Sequence, residues 1–471
     1  MMYDYDVLVI GLGPAGMAVS VMASEMGLGV CAVEKENVGG ECMNVGCIPS
    51  KALLRMGRFR AAFSRLEQME LAKTPAPAVL KPFDKIERAL AYISEKKTMG
   101  MFGKVDMLYQ KGHAEFVSPR IVRVGDRQIS AKRIFICTGT KPQIPDIPGL
   151  KDMQPLTNET LFRLDEMPES MIVLGSGAIA CEMAQAFARL GTKVTMVFRG
   201  KGLLWREDRE ATGLLESQFL EDGIVLEKNV GMKRFYKEEG RVVLELEDGR
   251  LIAAEKVLAA LGRHFDPSSL ALEKAGVEYT SKGILVDRYL RATQKHIYAC
   301  GDVNGHHRFS HAAMHQGMVA LMNSMLPHPF KLNFHKYPVP WTMFTEPQIS
   351  RVGKSLAELE EEGSKFELVE ARYADYGAAI AESVDVGFVK AAISRTGKVR
   401  GVTIVGEGSG EMINEWAMLI QNNLRITKMM MQQHSFPTMG FLSKRVAESW
   451  MVGKMQCPFV KKVCRLLFGR F

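Results

Sequence analysis

The chain is poor in everything that would carry it into or across a membrane. No uninterrupted apolar stretch reaches the roughly 18 residues that a spanning helix needs. The N-terminus, Met1 to Asp6, holds two aspartates and lacks the basic start and long apolar run of a signal peptide. Cysteine is sparse, eight in 471 residues, which excludes a secreted disulfide framework and points to a reducing compartment. A cytoplasmic location is therefore expected. Acid is scarce in one region: from Leu442 to Phe471 only Glu448 opposes the seven bases Lys444, Arg445, Lys454, Lys461, Lys462, Arg465 and Arg470. That tail supplies six of the net eight positive charges. The rest of the chain is nearly neutral, which argues against a nucleic-acid-binding surface.

What the chain does contain is a large α/β enzyme's worth of core, 47% hydrophobic and 24% charged residues, enough for two to four domains. The run Val7–Ile10 leads into Gly11-Leu12-Gly13-Pro14-Ala15-Gly16, an Ala/Met-rich helical stretch to Gly27, and a second apolar strand that ends at Glu34. This is the βαβ dinucleotide fingerprint: glycines let the backbone approach a pyrophosphate resting on a helix N-terminus, and the terminal acid is placed to bind a ribose hydroxyl. The unit recurs, with Met171–Leu174, Gly175-Ser176-Gly177-Ala178-Ile179-Ala180, a helix through Leu190 and a strand from Lys193 to Phe198. Two fingerprints imply two dinucleotide sites.

Between them lies Gly39-Gly40-Glu41-Cys42-Met43-Asn44-Val45-Gly46-Cys47-Ile48-Pro49-Ser50-Lys51, in which two cysteines stand five positions apart. A disulfide beside a flavin can take two electrons and hand them on by thiol exchange. The segment resembles the redox-active stretch of the pyridine nucleotide-disulfide oxidoreductases, the family of dihydrolipoamide dehydrogenase, glutathione reductase and mercuric reductase. The resemblance extends from about Tyr5 to Ser443. It implies two Rossmann-like domains followed by a C-terminal α+β dimerisation domain. The divisions are FAD-binding in 1–150 and 276–335, NAD(P)-binding in 151–275, dimerisation in 336–445 and a basic amphipathic tail in 446–471.

By the same resemblance the protein is a homodimer, and FAD sits on the first fingerprint (Gly11, Gly13, Gly16, Glu34) with NAD(P)H on the second (Gly175, Gly177, Ala180, Glu182). Thr138-Gly139-Thr140 and Leu261-Gly262-Arg263 mark the crossings between domains, and Asp302 in Tyr298-Ala299-Cys300-Gly301-Asp302 meets the ribityl chain. Cys47 is the thiol against the flavin, Cys42 the exposed interchange thiol, and Lys51 brings an ammonium near the flavin's reactive nitrogen. Trp341 to Gly353 resembles the opening of the dimerisation domain, with strands at Phe388–Lys390 and Val402–Gly408 and a helix from about Gly410.

Three departures, and the tail, bear on function. Glu41 replaces the family's usual threonine; it either raises the thiol pKa of Cys42 or, as expected here, points to water. The second strand of the second fingerprint ends in Phe198-Arg199 with Lys201 beyond, bases rather than an acid, which favours NADPH with NADH as the alternative. The family's His-x-His-Pro-Thr-x-x-Glu reads His434-Ser435-Phe436-Pro437-Thr438-Met439-Gly440-Phe441, so both members of the acid/base dyad are phenyl rings that cannot move a proton. His434 is one candidate substitute. Standard dithiol substrates are thus disfavoured, and the expected acceptor is a metal ion, a quinone or a partner's disulfide. The 30 methionines, Met429–Met431 among them, are read as core filling. In the tail, Val460, Val463, Cys464, Leu467, Phe468 and Phe471 share one side of a helical wheel, opposite Lys461, Lys462 and Arg465. That pattern fits a peripheral membrane contact through 457–471, on the inner face, or an ordinary helix packed on the dimer. Cys457 and Cys464 are a third option, as an electron relay.

Overall fold

The computed structural model describes residues 3–469; Arg470 and Phe471 of the tail, and Met1 and Met2 at the other end, lie outside the described residues. Two compact units divide the chain. The first comprises residues 3–64, Pro75–Arg199 and Val225–Lys336; the second comprises Arg65–Thr74, Gly200–Ile224 and residues 337–469.

In the first unit the strands Tyr5–Ile10, Val30–Glu34, Asp106–Tyr109 and Ile297–Ala299 join the inner half of Arg127–Ile136 in a parallel array. The outer half of that last strand pairs antiparallel with Ile121–Val124, which pairs in turn with Ala114–Ser118. Val7–Ile10 are all but inaccessible to water, as a strand covered on both faces must be. The helix Pro14–Glu25 follows the first glycine turn, with Pro14 at a position where a missing N–H costs nothing. Its backbone is nearly touched by the helix Ser310–Met325: a Cβ on Gly317 would lie 2.5 Å from the Ala15 carbonyl oxygen. Only glycine permits that approach, and it brings the start of the later helix to the glycine turn.

A second parallel sheet, in the order Val225–Lys228, Lys193–Phe198, Ser170–Leu174 and Lys256–Ala259, carries the helix Ala178–Arg189. An antiparallel three-stranded layer, Met232–Glu238, Arg241–Leu246 and Leu251–Ala254, packs Phe235 and Leu244 against Ile172 and Val197. The strand pair Lys141–Pro142 and Arg263–His264 forms a short antiparallel ribbon.

The second unit is built on five antiparallel strands, Trp341–Met343, Ile349–Gly353, Val399–Val405, Phe388–Ile393 and Glu367–Arg372 in spatial order. The helices Ser409–Gln421 and Phe441–Met455 cover it around Trp416, which is fully buried and satisfies its indole N–H on the Ser443 hydroxyl at 3.0 Å. Lys390 is buried in this sheet with its ammonium paired to Asp208 at 3.1 Å and Glu210 at 2.8 Å. Two sequence expectations shift. The strand expected over Val402–Gly408 is Val399–Val405, because Gly406 and Gly408 adopt positive φ and turn the chain. A tail starting at residue 446 begins inside the helix Phe441–Met455, where Val446, Ala447 and Trp450 belong to the core.

Candidate active site

Both glycine turns form cradles. At the first, Gly11 has φ +91° and a Cβ there would meet the Cys137 carbonyl at 2.7 Å, while one on Gly16 would lie 1.8 Å from the Gly11 carbonyl. Gly13, at the helix start, faces open space. Two glycines thus let the turn close and the third leaves room above the helix N-terminus, the shape a pyrophosphate requires. Glu34 is buried at the end of its strand and accepts the Leu12 and Glu36 amides, each at 2.8 Å. Burial pushes its carboxyl up. Gly139 is open at φ +69°, and Thr140 donates to Asp302 at 3.2 Å. Burial raises the Asp302 carboxyl as well. The second turn repeats the design: a Cβ on Gly175 would meet the Ala260 carbonyl at 2.6 Å, and Gly177 is open. Ala180, in place of a third glycine, is fully buried, so its methyl fits where the helix packs on the sheet. Arg199 follows buried Phe198 and is exposed. These residues fit FAD on the first turn and a nicotinamide dinucleotide on the second.

The cysteines lie on two successive helices. Cys42 sits in the helix Gly40–Asn44 and Cys47 opens the helix Cys47–Gln68. Both thiols are free and half-buried, so Cys42 is less open than expected for an interchange thiol. Each thiol is the largest influence on the acidity of the other. Cys42 lowers the Cys47 thiol to about 6, helped by Ser310 and by the Lys51 ammonium and opposed by burial and the Glu182 charge. Cys47, with burial, pushes Cys42 up. The proton of the reduced pair therefore rests on Cys42 and the charge on Cys47.

Three partners here were not visible in the sequence. Ser310, first residue of its helix, places its hydroxyl 3.2 Å from the Cys47 sulfur. Lys51 reaches across to Glu182 at 2.7 Å, one third exposed against a buried carboxylate. Glu41 does not point to water. Its carboxylate is held by Arg263 at 2.5 Å and Asn158 at 3.2 Å.

In the second unit, Phe436 is 71% exposed and stands edge-on to Phe441, 5.5 Å between centroids. Phe441 stacks on buried Tyr376 at 6.1 Å. His434 has partners of its own: its Nε2 meets Glu415 at 2.9 Å and its Nδ1 the Gln432 carbonyl at 3.3 Å. Sequence reasoning missed Glu415 altogether. Among the described residues, no group of three or more His, Cys, Asp or Glu side chains is placed to hold a metal ion. Among them, too, no helix is long and apolar enough to cross a membrane.

Two dinucleotide cradles, a pair of free cysteines beside the first and a separate antiparallel sheet unit define a flavin-linked disulfide oxidoreductase. The chain belongs to the pyridine nucleotide-disulphide oxidoreductase family, whose model matches residues 5–317, with the family's dimerisation domain at residues 339–444. It is 32% identical to a mercuric reductase of Bacillus cereus over 430 residues, 90% of this chain and 68% of that one. It is 30% identical to the dihydrolipoyl dehydrogenase of Bacillus subtilis (strain 168) over 461 residues, 94% and 96% of the two chains. Among solved structures it superposes on the HOCl-induced flavoprotein disulfide reductase RclA of Escherichia coli with a TM-score of 0.84 at 26% identity, covering 94% of this chain and 99% of that one. The protein is accordingly an oxidoreductase of a family that uses FAD and NAD(P)H, and the dimerisation domain points to a homodimer.

Proposed function

We propose that this enzyme oxidises NADPH and passes the electron pair through Cys47 and Cys42 to a soft metal ion. When bound, NADPH supplies the hydride and FAD the two-electron carrier between it and the disulfide. The chain's own groups do the rest. Cys47, acidified by Cys42, Ser310 and Lys51, holds negative charge in the reduced pair, and Cys42 holds the proton. As one Hg(II) or two Cu(II) ions take the two electrons, the sulfur–sulfur bond re-forms and the Cys42 proton leaves to water. The observation that carries the acceptor is the missing family dyad: Phe436 and Phe441 stand where a dithiol substrate needs His and Glu. A metal ion bound by two thiolates needs no proton relay there. A mercuric reductase relative, and RclA having been solved as a Cu(II) complex, support the same class. A quinone or a partner's disulfide would also dispense with the base.

The test is an anaerobic titration with NADPH and, separately, NADH. Two-electron reduction is expected to free Cys42 for alkylation and to produce the thiolate–flavin charge-transfer band, at lower NADPH than NADH. Flavin bleaching with neither band nor new thiols would remove the cysteines from the path.

A second reading adds a membrane partner, and one observation favours it. In the helix Pro458–Phe468, Phe459 is 72% and Phe468 90% exposed, while Lys461, Lys462 and Arg465 are exposed with no acid in the helix. An apolar face beside uncompensated cations complements an anionic bilayer. The three bases are worth about 1 kcal/mol each at such a surface, together about a hundredfold in binding. Vesicles containing phosphatidylserine should therefore sediment the full chain and not one lacking 457–471, with binding lost at high salt. Equal sedimentation of both chains would sink this reading.

A further inference from the structure

Glu41 stands immediately before Cys42, where its charge opposes formation of a thiolate. Its side chain is only 31% exposed, and the Arg263 guanidinium that meets it is 17% exposed. Arg263 is not a loose surface cation. Its Nε donates to the Thr140 hydroxyl at 2.8 Å and its Nη2 to the Thr140 carbonyl at 2.7 Å, while Arg308 donates to its own carbonyl at 2.9 Å. Thr140 is bonded to Asp302, whose carboxylate lies 3.9 Å from the Arg263 Nε. Asn158 adds a second tie by donating to both the Glu41 carboxylate and the Val45 carbonyl, 3.2 and 3.4 Å away. A continuous set of charge-assisted bonds therefore joins the helix of Cys42 to the residue expected to hold the flavin's ribityl chain. The Glu41 charge is felt nearby: after burial, it is the leading cause that pushes the Glu159 carboxyl up.

We propose that Glu41 and Arg263 form a charge-compensated latch on the redox loop, in which Arg263 fixes the Cys42 helix and cancels a carboxylate that would otherwise suppress the reactivity of the thiol pair. Both are positioning residues, acting through Cys42 and not on the acceptor. The inference rests on the cysteine pair being the redox centre, and it makes a distinction that a purely structural tie does not. With the pair intact, two opposite charges in contact offset each other at the neighbouring thiols. Removing one member leaves the other's charge unopposed in a half-buried site, where a neighbouring unit charge shifts a thiol by about half a unit to one unit.

The two single variants should therefore move thiol acidity in opposite directions. The readout is the pH dependence of iodoacetamide alkylation of Cys42 and Cys47 in phosphine-reduced holoenzyme, scored cysteine by cysteine by mass spectrometry. Arg263→Gln should move the alkylation midpoint up and Glu41→Gln should move it down, each by about half a unit to one unit. The double variant should return close to the parent, and Arg263→Lys, which keeps the cation without the fork, should stay close to the parent throughout. Midpoints that move the same way in both single variants, or that do not move, would overturn the proposal. If Arg263→Gln fails to retain flavin, Glu41→Gln alone decides: a downward shift supports the latch and an unchanged midpoint refutes it. Alkylation does not depend on NADPH or an acceptor. A failure here is thus distinct from a failed titration, which would remove the cysteines from the electron path whatever their acidity.

Discussion

Cys42→Ser will emerge from purification with a charge-transfer band already present, and its acceptor turnover will fall about a hundredfold or more. A single remaining thiol cannot store an electron pair by closing a sulfur–sulfur bond, so the relay ends at Cys47. Cys47 itself stays acidic because Ser310, Lys51 and the introduced serine hydroxyl still favour its charged form. The sign with pH follows from that lowered value. A thiol near 6 is a thiolate above that pH and neutral below it, so the band should be strong at pH 8 and fade as the pH falls through about 6. The Cys42 contact is the largest acidifying cause, so Cys42→Ala, which donates nothing, should move the midpoint upward relative to Cys42→Ser. Absorbance titration of both variants checks this. A serine variant with no band at pH 8 would show that Cys47 does not face the flavin.

Phe436→His with Phe441→Glu should raise dihydrolipoamide turnover about a hundredfold, the low end of what a positioned general acid/base contributes. The cost to stability is small at position 436, whose ring is 71% exposed. Position 441 costs more, because Phe441 packs on Tyr376 and Phe436, aromatic pairs each worth about 1 kcal/mol. Part of that is offset by Lys444, whose ammonium already lies 5.9 Å from the Phe441 ring, and by Arg445, one turn beyond on the same helix. Steady-state assays of the parent and double variants, with lipoamide and with Cu(II) or Hg(II), separate the readings. Gain with the dithiol and no gain with the metal supports an acceptor that bypasses the dyad. High lipoamide turnover in the parent, lost in His434→Gln, would instead assign the proton work to His434 and Glu415.

Residues whose role is set by their own backbone are legible in the linear chain. Gly11, Gly16 and Gly175 are glycine because a carbonyl occupies the space of a Cβ, and that demand repeats wherever a strand turns into a helix over a phosphate. The apolar runs ending at Glu34 and Phe198 form strands of nearly the expected lengths, since a sheet covered on both faces accepts little else. The loss of the His–Glu dyad is equally plain, because Pro437-Thr438 set its register.

What the tertiary structure decided was the partner of each charged or polar side chain. Glu41 was expected to face water and meets Arg263; His434 is a free substitute by sequence and is held by Glu415 in the fold; Cys47 finds Ser310 from a helix 263 positions away. Likewise the boundary of the tail depended on whether Val446 and Trp450 had a core to enter. Glycine turns and apolar strands are specified by steric and solvation demands local to the chain, and so can be read along it. Ion pairs and thiol acidity depend on which groups the packing brings within a few ångströms, a distance that the linear order does not encode.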